Sequence, residues 1–158
     1  MNDLLLAHPI IPVVVIERVE DAVPLAEALV AGGLPIMEVT FRTDAAVAGI
    51  EAIVKHVPLA IVGSGTVCNP QQFAVSEDIG CQFIVSPGST DRLLKVAQAS
   101  SVPFLPGVCS ASELMRGLDY GFEHFKFFPA EASGGISLLK ALQGLSLIHI
   151  SEPTRLGM

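Results

Sequence analysis

Two hydrophobic rhythms alternate along the chain, short continuous apolar runs and longer stretches with helical spacing. Ile10, Ile11, Pro12, Val13, Val14, Val15 and Ile16 form a largely β-branched run, which predicts a strand buried on both faces. From Asp21 to Ala31, Val23, Leu25, Ala26, Leu29 and Val30 make one apolar stripe with Glu27 opposite, predicting a helix that Gly32 and Gly33 stop. Ile36 to Thr40 reads as the second strand, and Thr43-Asp44 is expected to cap a helix in which Val47, Ile50, Ile53 and Val54 keep helical spacing to His56. The pattern then recurs, with strands at residues 60–63, 83–85 and 102–105 and in the aromatic segment around Lys126 that Pro129 ends. Between them, Asn69 followed by Pro70 marks one helix start, residues 91–100 form another helix, and Ser110 with Glu113 makes a capping box for a helix to Tyr120. A last helix is predicted over residues 135–142.

Strand-helix units in succession predict parallel strands joined by right-handed crossovers, an α/β architecture. No Gly-x-Gly-x-x-Gly follows the first strand, which disfavours a dinucleotide-binding sheet and leaves a (β/α)8 barrel with about six units present. Reactive groups of such barrels sit where strands end. Here the strand ends carry Glu38, Thr40 and Arg42, then Gly63-Ser64-Gly65-Thr66, Ser86-Pro87-Gly88, Pro106-Gly107, and Lys126 to Glu131. All of these are expected to converge on one face.

Composition narrows the function. Hydrophobic residues make up 51% of 158 positions and charged residues 16%, so much of the chain should be buried in one domain. No uncharged apolar run is long enough to span a bilayer, and the N-terminus lacks a basic segment and a cleavage site, so a soluble protein without a membrane partner is expected. A net charge of -7 without a Lys/Arg cluster argues against nucleic acid. Cys68, Cys81 and Cys109 form no Cys-x-x-Cys, which suits a reducing cytoplasm, and the four histidines are scattered, so no metal site is expected.

Of the four lysines, Lys55, Lys95 and Lys140 fall on polar sides or last turns of helical segments, whereas Lys126 stands between Phe125 and Phe127. Strand alternation puts Phe125 and Phe127 on one face and His124, Lys126 and Phe128 on the other. Desolvation there disfavours the ammonium and leaves a neutral amine able to attack a carbonyl; the competing reading is a strand-end lysine whose stem reaches water. Glu38 is likewise a carboxyl among Ile36, Met37 and Val39, suited to proton transfer beside an amine nucleophile, or else a structural ion-pair partner of Arg42 or Lys126. Arg42 offers a fork for a carboxylate, and Thr66 with the neighbouring glycine backbone offers neutral donors. An α-keto acid fits that set. The glycines also have a simpler explanation, since tight turns after strands need them without any ligand.

Glu38-Val39-Thr40-Phe41-Arg42-Thr43, Gly63-Ser64-Gly65-Thr66-Val67, Ser86-Pro87-Gly88 and Phe125-Lys126-Phe127-Phe128-Pro129-Ala130-Glu131 resemble, in colinear order, the motifs of the 2-keto-3-deoxy-6-phosphogluconate (KDPG) and 4-hydroxy-2-oxoglutarate (KHG) aldolases. The resemblance implies a (β/α)8 barrel, a cytoplasmic homotrimer of the Entner-Doudoroff pathway, and a class I lyase that needs no metal or cofactor. It also implies roles: Lys126 as the Schiff-base lysine, Glu38 as general acid and base, Arg42 and Thr66 on the substrate carboxylate, and Pro87 and Phe128 lining the pocket. The implied reaction is reversible cleavage of 2-dehydro-3-deoxy-6-phosphogluconate to pyruvate and glyceraldehyde 3-phosphate, with 4-hydroxy-2-oxoglutarate giving pyruvate and glyoxylate. A phosphogalactonate-type aldolase and a non-catalytic fragment that binds keto acids or aldolase subunits are the alternatives. The resemblance ends near Leu145. Residues 1–144 are thus expected to be a partial barrel and residues 145–158 a non-native tail, leaving the first and sixth strands with open edges.

Overall fold

A computed structural model describes residues 1–143 and the backbone of Ile150 and Ser151. The predicted alternation is present, and every strand pairing is parallel. In chain order the elements are α1 (Asn2–Ala7), β1 (Val13–Val14), a 3-10 turn (Val19–Asp21), α2 (Ala22–Ala31), β2 (Ile36–Thr40), α3 (Ala46–His56), β3 (Ile61–Gly65) and α4 (Pro70–Asp78). They continue as β4 (Phe83–Val85), α5 (Asp91–Ala99), β5 (Phe104–Leu105), β6 (Gly107–Val108), α6 (Ala111–Asp119), β7 (Phe125–Phe127), α7 (Gly135–Gln143) and β8 (Ile150–Ser151). Strands pair in the order β1-β2-β3-β4-β5 and, in a second sheet, β6-β7-β8. The two sheets are consecutive parts of one curved wall. Between β5 and β6, Pro106 has no N–H to continue the ladder, and Ser86 bridges the break: its N–H donates to Leu105 O (3.2 Å) and its Oγ accepts from Gly107 N (3.3 Å). The wall does not close into a barrel among the described residues.

Side chains leave this wall on two faces, as a two-residue period requires. On the outer face Met37, Val39, Val62, Ile84 and Phe104 pack with Ile50, Ile53, Phe73, Leu93 and Leu94 of the helices. A second outer cluster joins Val108, Phe125 and Phe127 to Leu114 and Leu142. Burying a phenylalanine here contributes about 2–3 kcal/mol, so Phe125 and Phe127, both fully buried, hold β7 in position. On the inner face Ile36, Phe83, Val85 and Leu105 form a plug against which Met1, Leu4, Leu5 and Ile11 pack. The remaining inner positions, toward the strand C-termini, carry the polar groups.

Several local expectations are corrected. The first strand is short, in register with β2 only at Val13 and Val14 and with Pro12 O accepting from Glu38 N at 2.9 Å, and Val13 and Val15 are 42% and 43% exposed, because β1 pairs with β2 alone and its other edge is unpaired among the described residues. Thr43 does not cap α3: its Oγ1 donates to the Ile16 carbonyl, and the N-cap position is Ala45, which has no side-chain cap. Helix α1 was not anticipated. The edge of β7 is covered too, since Phe125 and Lys126 pair with Ile150 and Ser151. Apart from those two residues, the segment expected as a non-native tail lies outside the described residues. The Asn69 cap is as expected, with Oδ1 accepting from Gln72 N at 2.9 Å. No helix among the described residues is long and apolar enough to cross a membrane.

Candidate active site

Glu38 and Lys126 are the two charged side chains buried among the described residues, at 5% and 8% exposure. Glu38 is the third residue of β2, between Met37 and Val39, whose side chains anchor the outer face and so turn the carboxyl inward. Lys126 is the middle residue of β7, turned inward by the same logic acting on Phe125 and Phe127. The two meet across the interior, with Lys126 Nζ donating to Glu38 Oε1 at 3.1 Å and Oε2 at 3.4 Å. A buried charge needs such a partner, and each supplies the other's. Phe128, half-buried, faces the same ammonium, which lies 5.3 Å from its ring centroid. Of the two partners considered for Glu38 from sequence, the geometry selects Lys126.

The glycines around this pair have individual reasons. Glu38 lies across Gly65, where a Cβ would overlap Oε1 and come within 2.6 Å of Cγ. Gly63 makes room for the Phe83 ring, and Gly107 lets the Pro87 backbone approach β6. Sequence reasoning had assigned Gly65 to the turn and missed its role as the seat of Glu38. The signal was available: Gly63 and Gly65 sit two apart on the strand that pairs with β2, with Glu38 opposite Gly63 in register.

Immediately after Gly65, Thr66 has φ 60°, the one positive φ outside glycine among the described residues. A β-branched residue there stores about 1–3 kcal/mol of backbone strain, and such strain persists where surrounding contacts impose it. Arg42, just past the end of β2, is exposed and makes no hydrogen bond or ion pair within the described residues, so its guanidinium fork faces solvent. Pro87 is half-buried at the end of β4, and the peptide bond between Phe128 and Pro129 is cis. Glu131 is exposed.

A second acidic group stands at the end of β6. Glu113 accepts from Cys109 N (2.8 Å) and Ser110 Oγ (2.9 Å), and its own N–H donates to Ser110 Oγ (3.3 Å). The expected capping box is therefore shifted, its carboxylate holding the residue before the N-cap. Burial pushes the Glu113 carboxyl up, but the hydrogen bonds from Cys109 and Ser110 outweigh it and leave the group below the ordinary carboxylate value. Cys109 is pushed up by burial and then by Glu113 itself.

In chemical terms, the interior presents an amine and a carboxyl in contact beside an aromatic wall, with a strained residue after β3 and an exposed, unpaired guanidinium just past the end of β2. Comparison with known proteins gives this arrangement its context. A sequence model described as "Aldolase: KDPG and KHG aldolase" matches residues 1–150. The KHG/KDPG aldolase of Escherichia coli (strain K12) is 54% identical over 143 residues, covering 90% of this chain and 67% of that relative. The solved KDPG aldolase of Legionella pneumophila, with pyruvate captured as a covalent carbinolamine intermediate, superposes with a TM-score of 0.85 at 51% identity, over 88% of this chain and 68% of that one. The 2-keto-3-deoxy-6-phosphogluconate aldolase of Zymomonas mobilis ATCC 29191 gives a TM-score of 0.89 at 46% identity, over 94% and 72% of the two chains. The fold class is thus that of the (β/α)8-barrel aldolases, in a chain whose matched segment spans about two thirds of its relatives. With the match running over residues 1–150 and so through β1 to β7, this chain belongs to the KDPG and KHG aldolase family.

Proposed function

We propose that the chain performs class I aldol chemistry on α-keto acids, cleaving 2-dehydro-3-deoxy-6-phosphogluconate reversibly to pyruvate and glyceraldehyde 3-phosphate, and 4-hydroxy-2-oxoglutarate to pyruvate and glyoxylate. The buried Lys126–Glu38 pair carries the reading, since it is an amine nucleophile in direct contact with a proton carrier. Transfer of one proton from Nζ to the carboxylate leaves a neutral amine and a carboxylic acid. The amine adds to the substrate C2 carbonyl, one nitrogen proton passes to the oxygen to give the neutral carbinolamine, and Glu38 returns its own proton to that hydroxyl, which leaves as water to give an iminium. Glu38, again a carboxylate, takes the C4 hydroxyl proton. The C3–C4 bond breaks, its electron pair moves into the iminium to form an enamine, and the aldehyde departs. Protonation at C3 and hydrolysis of the imine release pyruvate and the amine.

Arg42 and Thr66 hold the substrate carboxylate in this reading, with Pro87 and Phe128 as pocket walls; the exposed fork of Arg42 and the strained loop at Thr66 support those assignments. A cytoplasmic homotrimer completes it, supported by the family and by three free cysteines, and light scattering tests the assembly.

The decisive experiment is borohydride trapping of the full chain with pyruvate, read by intact mass and peptide mapping. A reduced pyruvate adduct on Lys126, absent from Lys126→Ala, is expected. An adduct on another lysine, or none on the parent chain, overturns the reading.

A further inference from the structure

Thr66 sits inside a hydrogen-bonded circuit that returns to a single residue. Ser64 Oγ donates to Ser76 Oγ (2.7 Å), and Ser76 Oγ donates to the carbonyl of Gln72 (2.8 Å). The side-chain Oε1 of the same Gln72 accepts from Cys68 N at 2.7 Å, while its N–H donates to Asn69 Oδ1 at 2.9 Å. The residues two before and two after Thr66 are thereby tied to Gln72, one through the buried pair Ser64 and Ser76 and the other directly. Cys68 Sγ closes a smaller ring onto Thr66 O at 3.2 Å. A strained φ needs such a frame, because nothing local in a threonine favours it.

We propose that Gln72 is a positioning residue for keto-acid recognition: by holding Cys68 N it keeps Thr66 in its left-handed conformation and so presents the loop after β3 to the substrate carboxylate. The inference rests on the reading of Thr66 as a carboxylate ligand. Gln72 is the third helical residue of α4, only half-buried, and supports no hydrophobic cluster, so its retention in this orientation is explained by the loop and not by the core. The same device recurs at α6, where Glu113 holds Cys109 N. That recurrence shows that a carboxylate oxygen serves the geometry as well as an amide oxygen.

The test compares Gln72→Met, which keeps length and removes the acceptor, with Gln72→Glu, which keeps an acceptor. Trapping at Lys126 is followed against pyruvate concentration at about 0.2 M salt, where the added charge is screened. Gln72→Met should raise the half-saturating pyruvate concentration about fivefold to tenfold while leaving trapping at saturation within about twofold of the parent. Gln72→Glu should stay within about twofold of the parent on both measures. Hydrogen exchange of the Cys68 amide should accelerate in Gln72→Met only, with thermal unfolding little changed in either variant. An unchanged half-saturation in Gln72→Met, or Gln72→Glu as weak as Gln72→Met, overturns the proposal while leaving the Schiff-base reading intact. No adduct on the parent, with Cys68 exchange still faster in Gln72→Met, overturns the functional role of the circuit together with that reading.

Discussion

The carboxylate of Glu38 occupies the space that a side chain at Gly65 would need. The two residues belong to neighbouring strands, and the absence of a Cβ at one sets the reach of the other toward Lys126. Glu38 can swing aside, so Gly65→Ala should fold yet hold the carboxyl away from Nζ. Turnover is expected to fall about a hundredfold or more, the scale of lost general acid-base catalysis, while the melting temperature shifts by only a few degrees. Aldol cleavage coupled to a lactate dehydrogenase assay, beside thermal unfolding, separates the two effects.

Removing one member of the buried pair strands the other. Lys126→Ala should lose about 3 kcal/mol because Glu38 is left buried without its partner, and adding Glu38→Gln should restore most of it. The apolar pair Lys126→Met with Glu38→Leu should be at least as stable as the parent and inert toward pyruvate. Urea unfolding of the four proteins checks this order of stabilities; equal stability of Lys126→Ala and the parent would show that the pair does not need mutual neutralisation.

Not all glycines at the strand ends constrain the fold equally. A Cβ on Gly107 overlaps the carbonyl carbon and oxygen of Pro87, backbone that cannot rotate away, so Gly107→Ala should cost about 2–3 kcal/mol. Gly88→Ala meets nothing within 4 Å and should change stability by less than about 0.5 kcal/mol. Paired unfolding curves measure what the tight approach of the Pro87 backbone to β6 requires of position 107.

Three thiols should react in a defined order. Cys68 is exposed and should label first with a maleimide, Cys109 is intermediate, and Cys81 is buried in the outer core and should label only on unfolding. Burial pushes the Cys81 thiol from 9.0 to about 11, a preference of the folded chain for the neutral form. That contribution, about 2–3 kcal/mol, is fully present below pH 9 and is lost as pH rises to about 11. Cys81→Ala should therefore flatten the alkaline fall in stability between pH 9 and pH 11. An unchanged alkaline limb would assign the fall to other groups.

The alternation of elements was legible because hydrophobic period is a local property. A two-residue rhythm separated Met37 and Val39 from Glu38, and Phe125 and Phe127 from Lys126, so the chain itself named the two charges that would point away from the outer core. The Asn69 cap, Gly32 and Gly33 were equally local and were read without the structure. Other features depended on neighbours distant in sequence. Val13 and Val15 read as buried, yet the exposure of a strand is decided by what pairs with its edge. Thr43 looked like a cap, but Ile16 O, brought alongside by the packing of β1, was the better acceptor. Gly65 looked like a turn residue until the pairing of β2 with β3 brought the Glu38 side chain diagonally over it.

By itself, then, the sequence determined which residues were apolar, which were charged and in what rhythm they alternated, and with that the layered α/β architecture and the inward placement of Lys126 and Glu38. Only the tertiary structure decided that these two are partners. They stand 88 residues apart, while Arg42 lies four residues from Glu38. Proximity along a strand is fixed by the covalent chain, but Glu38 and Arg42 are separated there by the end of β2, where the backbone leaves the wall for solvent. Curvature of the sheets brings β2 and β7 to face each other across the interior, and two desolvated opposite charges in that space are stable only in contact.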